Sequence, residues 1–171
     1  MLFMTLFACA QSEAPMEETK IVQTVPQKVE IEEVAAKKEE LDMGFQLFFT
    51  NEAQMMKGGR KLLESVERNA QSLQPQVVLD ALYAGPLESE KGLVLTRCQS
   101  TGAKVLSLDN GVLSVQLEGG CGGCGTLSIY DLLVPTLKAF SEIDVVQLYD
   151  ANGKSQVDDP KTDSRPGCLE P

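Results

Sequence analysis

The chain has 171 residues, 43% of them hydrophobic, and its 15 basic and 25 acidic side chains give a net charge of −10. The length suits one domain with appended segments, and the acidic balance argues against nucleic acid and anionic lipid surfaces as direct partners. The sequence contains no histidine, which excludes Ser-His and Cys-His nucleophile pairs and histidine metal ligands.

The first nine residues predict an export signal. Leu6-Phe7-Ala8-Cys9 closes a short, nearly apolar run that begins at Met1, and an acidic stretch follows it. This layout is typical of a signal peptide that ends in a lipidated cysteine, so Cys9 is the expected site of lipidation. The alternative is a buried N-terminal strand or helix with an incidental cysteine. No other run reaches the roughly 18 consecutive apolar residues that a spanning helix needs.

Residues 10–43 predict a mobile, acidic tether. Between residues 10 and 42 there are nine acidic and four basic side chains, no aromatic one, and two prolines, Pro15 and Pro26. Such a segment buries too little apolar surface to offset the entropy lost on ordering. A transient helix between Ile31 and Leu41 is compatible with this interpretation.

The folded part is predicted to open with a strand and a helix. Residues 45–50 are aromatic and alternate loosely, which is typical of a strand, whereas residues 55–70 are ambiguous between a turn with a helical lead-in and an extended segment. Pro75 suits the first turn of a helix that runs to Leu82 and presents Val77, Val78 and Ala81 with Leu82 on its apolar face. Gly85-Pro86 ends this helix.

Two strands, a helix and a last strand are predicted to follow. Residues 104–108 and 112–118 flank Asn110-Gly111, the strongest short signal for a β-hairpin. A second helix begins at Thr126 or Ser128, with a kink or a later start at Pro135, and residues 145–149 form the closing strand. The order β-α-β-β-α-β predicts an α+β fold, a two-layer α/β sandwich in which a small mixed sheet carries both helices on one face.

The ordered set of motifs resembles the GerMN domain over residues 44–155. A helix ending in a Leu-x-x-Gly-Pro stretch before an exposed loop, a following strand and the Asn-Gly hairpin carry the resemblance, and a second helix and a closing strand continue it. The positions that match the family pattern, all with an expected structural role, are Leu82, Gly85, Pro86, Lys91, Asn110 and Gly111.

The resemblance implies a binding or assembly module without catalytic residues or a cofactor. GerMN domains occur in bacterial envelope proteins and lipoproteins and in sporulation and spore-germination proteins. We therefore expect an extracytoplasmic protein, lipid-anchored to the cell membrane, that binds an envelope protein, a cell-wall component or a like subunit, and no nucleic acid. Its parts would be a signal (1–9), a tether (10–43), the GerMN-like domain (44–155) and a C-terminal tail (156–171).

The cysteines allow three interpretations. With Cys9 lipidated, the other four form two structural disulfides, for which Cys121–Cys168 and Cys98–Cys124 are the favoured pairs, the first pinning the tail to the domain. Alternatively, Cys121 and Cys124 form a C-x-x-C redox pair before a predicted helix, which would make the protein a thiol-disulfide oxidoreductase. A zinc site with four cysteine ligands is the third interpretation; the spacing is unlike a zinc ribbon, so no metal is expected.

Overall fold

The computed structural model describes residues 43–122, 125–157, 159 and 161–170, and the predicted signal, Cys9 and nearly all of the predicted tether lie outside this range. Its elements define an α+β fold, which confirms the predicted class. In chain order they are β1 (Met43–Asn51), α1 (Glu52–Met56), β2 (Leu63–Ala70), α2 (Pro75–Ala84), β3 (Leu93–Val94), β4 (Ser100–Asp109), β5 (Val112–Gly119), α3 (Ile129–Leu137) and β6 (Val145–Tyr149), followed by a 3-10 turn (Gly167–Leu169).

The described strands form two three-stranded sheets. Sheet A has the order β2-β1-β3 and is antiparallel throughout. Sheet B has the order β4-β5-β6, in which β4 and β5 are antiparallel and β5 and β6 are parallel. The prediction of one mixed sheet is wrong, because β1 pairs with β2 and β3 and not with the hairpin strands. The predicted order is extended by α1, β2 and β3. A crossover through α3 joins the parallel pair, as such a pair requires.

The hairpin between β4 and β5 has the predicted Asn-Gly turn. Asn110 and Gly111 both have positive φ, at 50° and 80°, the combination of a type I′ turn that matches the twist of the flanking strands. The carbonyl of Gly111 also accepts the backbone N–H groups of Asp144 and Val145 at 2.8 and 3.0 Å. The same turn therefore positions the start of β6.

Both sheets and both long helices share one hydrophobic core. In α2 the buried side chains are Val78, Leu79, Leu82 and Tyr83, while Val77, predicted on the apolar face, is exposed. The prediction was wrong at Val77 because the face of α2 that packs against β4, β1 and α3 is shifted by one residue from the predicted one. The core residues of the other main elements include Leu47, Phe49, Leu113, Val115, Leu117, Ile129, Leu133, Leu137, Val146 and Leu148.

The C-terminal segment is packed into this core. Leu169 is 2% exposed and belongs to the core cluster, and the backbone N–H of Ser164 donates to the carbonyl of Val146 in β6 at 3.1 Å. The carboxylate of Asp163 accepts the N–H of Val146 at 2.9 Å and pairs with Lys138 at 2.6 Å. The polar tail therefore supplies structural contacts to α3 and β6.

Candidate functional site

Strand β1 has one open edge. On one side it pairs along its length with β2, but on the other side β3 covers only its last two residues. On that second side the backbone N–H of Phe48 donates to Thr136 Oγ1 over 3.2 Å. Backbone groups in an antiparallel strand point alternately to its two sides, so those of Gly44 and Gln46 face the same way as that of Phe48. No hydrogen bond within the described residues reaches them there.

A cleft of about 470 Å³ lies beside this edge. Phe45 and Phe140 are partly buried and pack against the core, whereas Gln46, Glu67 and Ala139 are exposed. The cleft thus combines aromatic walls with a polar rim, and its volume is within the range of ligand-binding pockets. Its lining residues are Gly44, Phe45, Gln46, Glu67, Leu73, Thr136, Ala139 and Phe140.

Helix α3 forms the wall opposite the β1 edge and is fixed at both ends. Ser128, one of the two predicted caps, begins the helix with a capping box, in which Asp131 accepts the backbone N–H of Ser128 at 2.7 Å. Pro135 lies inside the helix, near its last turn. Just beyond the helix, Lys138 pairs with Asp163 of the tail. These contacts hold the helix end, and with it one side of the cleft, in place.

On the core side of sheet A, Arg68 connects β2 to the end of α2. Its guanidinium forms a two-point pair with Glu90 (3.2 and 2.6 Å) and donates to the carbonyls of Ala81 (3.3 Å) and Gly85 (2.9 Å). It also lies over the ring of Phe49, 5.4 Å from the centroid. The hydrogen bond from Arg68 is the main cause that lowers the pKa of Glu90 below its ordinary value. Two of the last carbonyls at the end of α2 are thereby satisfied.

The outer edges of β4, β6 and β2 are covered or charged. The side chain of Gln76 in α2 accepts the N–H of Val105 at 2.8 Å and donates to the carbonyl of Ala103 at 3.0 Å, so it occupies the outer edge of β4. The tail residue Ser164 bridges to β6. Strand β2 carries the exposed, charged side chain of Glu64. Such devices keep sheet edges from pairing with other chains, and no described residue provides one for the Gly44–Gln46 stretch of β1.

None of the six positions of the family pattern lines the cleft, and four of them, Leu82, Gly85, Asn110 and Gly111, serve the scaffold. Leu82 is fully buried, and Gly85 has a φ of 87° at the end of α2, where its N–H donates to the carbonyl of Leu82. Pro86 follows it, half-buried, and Lys91 is exposed. Asn110 and Gly111 form the hairpin turn described above. Their assignment as family-motif residues stays a prediction.

Cys121 is bonded to Cys168, the pairing favoured from the sequence, across 47 residues of chain. The Cα atoms are 5.6 Å apart, and the bond holds the tail beside the start of the segment that leads to α3. Cys98 is also disulfide-bonded, while Cys124, its predicted partner, lies outside the described residues. The oxidoreductase alternative requires Cys121 to exchange a bond with Cys124, but Cys121 is engaged with the tail. Cys9 also lies outside the described part of the chain.

A buried tyrosine is the group with the largest shift in ionisation. The hydroxyl of Tyr83 lies 2.7 Å from Ser100 Oγ, and burial raises the pKa of Tyr83 to about 12. The phenol is therefore neutral at physiological pH, and its contact with Ser100 joins α2 to β4. Neither residue reaches the cleft.

The described residues contain neither a metal-binding cluster nor a membrane-spanning helix. From residue 43 to 170, leaving out the four undescribed positions in that span, no group of three or more acidic or cysteine side chains is placed to hold a metal ion. Nor does any described helix have the length and apolar character needed to cross a bilayer.

The residues that form the cleft were not foreseen from the sequence. Gly44 and Gln46 lie in or next to a predicted strand, but which edge of a strand stays unpaired depends on where its neighbours end. Thr136, whose hydroxyl accepts the backbone N–H of Phe48, lies on a helix and is 88 residues away in the chain. The sequence signal that was available is local: a glycine and a glutamine beside an aromatic strand, and a small residue, Ala139, after a helix.

Fold and cleft together define the class of this protein: an α+β domain with an unpaired sheet edge over a ligand-sized cleft. No protein-family profile matches the chain, and no curated protein matches it. Among solved structures, the chain is similar to the tandem GerMN domains of the sporulation protein GerM from Bacillus subtilis, with 16% sequence identity and a TM-score of 0.44. The match covers 75% of this chain and 46% of that one, so the chain spans about half the length of that protein.

Proposed function

We propose that this protein is a non-catalytic binding or assembly module of the cell envelope, which acts outside the cytoplasm and is held at the membrane by a lipid on Cys9. The observation that carries the proposal is the open edge of β1 above the cleft, between Gly44 and Gln46. An unpaired strand edge next to partly buried aromatic side chains is a ready site for another polypeptide.

The proposed location draws support from the disulfide between Cys121 and Cys168. Structural disulfides persist in oxidising compartments and are rare in the cytosol, and this one links the tail to the body of the domain. The apolar run that ends at Cys9 predicts the same address from different residues. A role in sporulation or germination rests on the sequence resemblance alone.

Site-directed photo-crosslinking in the cells that make the protein tests the binding role. A benzoylphenylalanine replaces Ala139 in the cleft or, as the control, Glu52 on α1, which is also exposed but does not line the cleft. We expect ultraviolet light to give a discrete crosslinked species in the membrane fraction from position 139 and none from position 52. Identical patterns from both positions, or no species from either, would refute the proposal.

A further inference from the structure

We infer that the open edge of β1 receives an extended segment of a partner protein, which adds to sheet A as one more short strand and carries a lysine or arginine beside an apolar residue. The inference rests on the proposed binding function and gives the chemistry of the partner. It follows from three properties of the cleft: its backbone groups, its walls and its charge.

The backbone supplies the means of attachment. The N–H and C=O groups of Gly44 and Gln46 point away from β2 into the cleft, which gives two donors and two acceptors at the spacing of a sheet ladder. Strand β3 pairs with the last two residues of β1 on this same side, so the edge already accepts an antiparallel strand farther along. An added strand would lie on this side of β1 at Gly44–Gln46, beyond Phe48, whose N–H donates to Thr136.

The walls select an apolar side chain. Phe45, Leu73 and Phe140 are all partly buried around the cleft. Alternate side chains of an extended segment point to the same face, so one apolar residue of the partner can enter among these three. Gly44 and Ala139 have minimal side chains and leave the approach open.

The charge at the rim selects a basic residue. Glu67 lines the cleft and is exposed, and it takes no part in the ion pairs of the described residues, Arg68–Glu90 and Lys138–Asp163. The chain as a whole carries a net charge of −10. Both the local and the long-range field therefore favour a cationic segment.

The covering of the outer edges of β4 and β6 supports a strand as the occupant of the open β1 edge. Gln76 occupies the outer edge of β4 and the tail bridges to β6, so both outer edges of sheet B are protected. A second copy of the chain would meet the edge with another net negative surface, and a small molecule would leave the row of backbone groups unused. Each of these occupants would be revealed by the test below.

The test uses the full-length, oxidised protein and a synthetic pentapeptide, acetyl-Lys-Val-Trp-Val-Lys-amide. The chain has no tryptophan, so the tryptophan fluorescence comes from the peptide alone and its shift reports binding. Backbone amide shifts of the labelled protein report the site. We expect a blue shift of the fluorescence with amide shifts centred on residues 44–47. A peptide with N-methyl groups on alternate residues cannot complete the ladder and should bind at least about tenfold more weakly.

Matched variants at Gly44 separate the contribution of the backbone N–H to peptide affinity from that of the side chains of the cleft. Gly44→Pro removes the N–H that points into the cleft and should lower affinity about tenfold. Gly44→Ala, whose Cβ would meet Asn69 Oδ1 at an ordinary 3.7 Å, should bind within about twofold of the native chain. Should Gly44→Pro fail to fold, Ala139→Trp fills the cleft from exposed helix-end surface, with Ala139→Ser as its control.

A second pair of variants tests the contribution of the Glu67 charge to peptide binding. Glu67→Gln should weaken peptide binding about threefold at low salt, whereas Glu88→Gln, an exposed change of equal charge outside the cleft, should not. Absence of peptide binding at about 1 mM, or binding that is indifferent to both Gly44→Pro and Ala139→Trp, overturns the inference. Self-association that shifts the residue 44–47 amides without peptide overturns it in favour of a second copy. Crosslinking from position 139 without peptide binding would leave the binding function standing and remove only the strand-addition inference.

Discussion

Replacement of Arg68 by methionine should destabilise the domain by about 3–5 kcal/mol. The side chains of Arg68 and Glu90 are only 11% and 12% exposed, so Arg68→Met leaves a carboxylate largely out of water without its cation. It also removes the donors to the carbonyls of Ala81 and Gly85. The methionine keeps most of the apolar stem that packs near Phe49, so the loss reports mainly the polar contacts.

The assay is urea unfolding of the oxidised, full-length protein followed by circular dichroism. For a domain of this size the loss corresponds to a fall in melting temperature of roughly 10–20 °C. Arg60→Met, an exposed change of the same chemistry, should stay within about 0.5 kcal/mol of the native chain. A loss below about 1 kcal/mol for Arg68→Met would refute the claim that this contact network holds β2 to α2.

A double variant tests the pairing itself. Because Arg68→Met/Glu90→Met removes both charges, it should be less destabilised than Arg68→Met alone, leaving a cost of about 1–2 kcal/mol for the two carbonyls. If the effects of the single changes were simply additive, the two side chains would not be coupled, and the distances in the structure would not reflect a stabilising pair.

The same pair predicts a pH dependence. The native pKa of Glu90 lies below its ordinary value of 4.5, so the stability it contributes is fully present above about pH 4.5 and is lost as pH falls through the native pKa. Between pH 5 and pH 3 the native chain should lose stability more steeply than Glu90→Gln. Parallel curves of unfolding free energy against pH would contradict this assignment.

Two further changes test the turn and the disulfide. Gly111→Ala should destabilise the domain by about 1–3 kcal/mol, because φ is 80° there and the new Cβ would lie 2.5 Å from Asp144 Oδ2. Gly153→Ala has a similar φ but open space around it, so it should cost less. Equal losses in urea unfolding would show that the Asp144 contact does not matter. Cys121→Ser/Cys168→Ser opens a loop of 47 residues and should cost about 4 kcal/mol. Unchanged stability would show that the tail docks without the bond.

The elements that could be predicted from sequence are those specified by neighbouring residues. Asn110-Gly111 between alternating apolar residues defines its hairpin locally, and Pro75 and Gly85 mark the two ends of α2 within one or two residues. Ser128 marks the start of α3 by a capping box that spans only three residues.

Strand β2 was ambiguous because its pattern depends on a distant residue. Leu63 and Val66 have helical spacing, and the charged Arg68 interrupts the apolar alternation that a strand would show. Arg68 faces the core side only because Glu90, 22 residues later, neutralises it there. A pattern confined to one segment does not contain that information.

The disulfide of the tail could be predicted, but the burial of Leu169 and the position of the cleft could not. Leu169 is a single apolar residue among polar ones, and its burial follows from the anchoring of Cys168 and Asp163 to other elements. The open edge of β1 arises because β3 ends after two residues and Thr136 satisfies only Phe48. Both features depend on where elements stop in three dimensions.

Non-reducing peptide mapping of the protein extracted from the membranes of its native cells tests the central claim most directly. The account predicts a Cys9 peptide with the mass of a lipid and a peptide that joins Cys121 to Cys168. An unmodified Cys9, together with Cys121 bonded to Cys124 or free, would contradict both the envelope location and the role of the disulfide, and would favour thiol chemistry as the function.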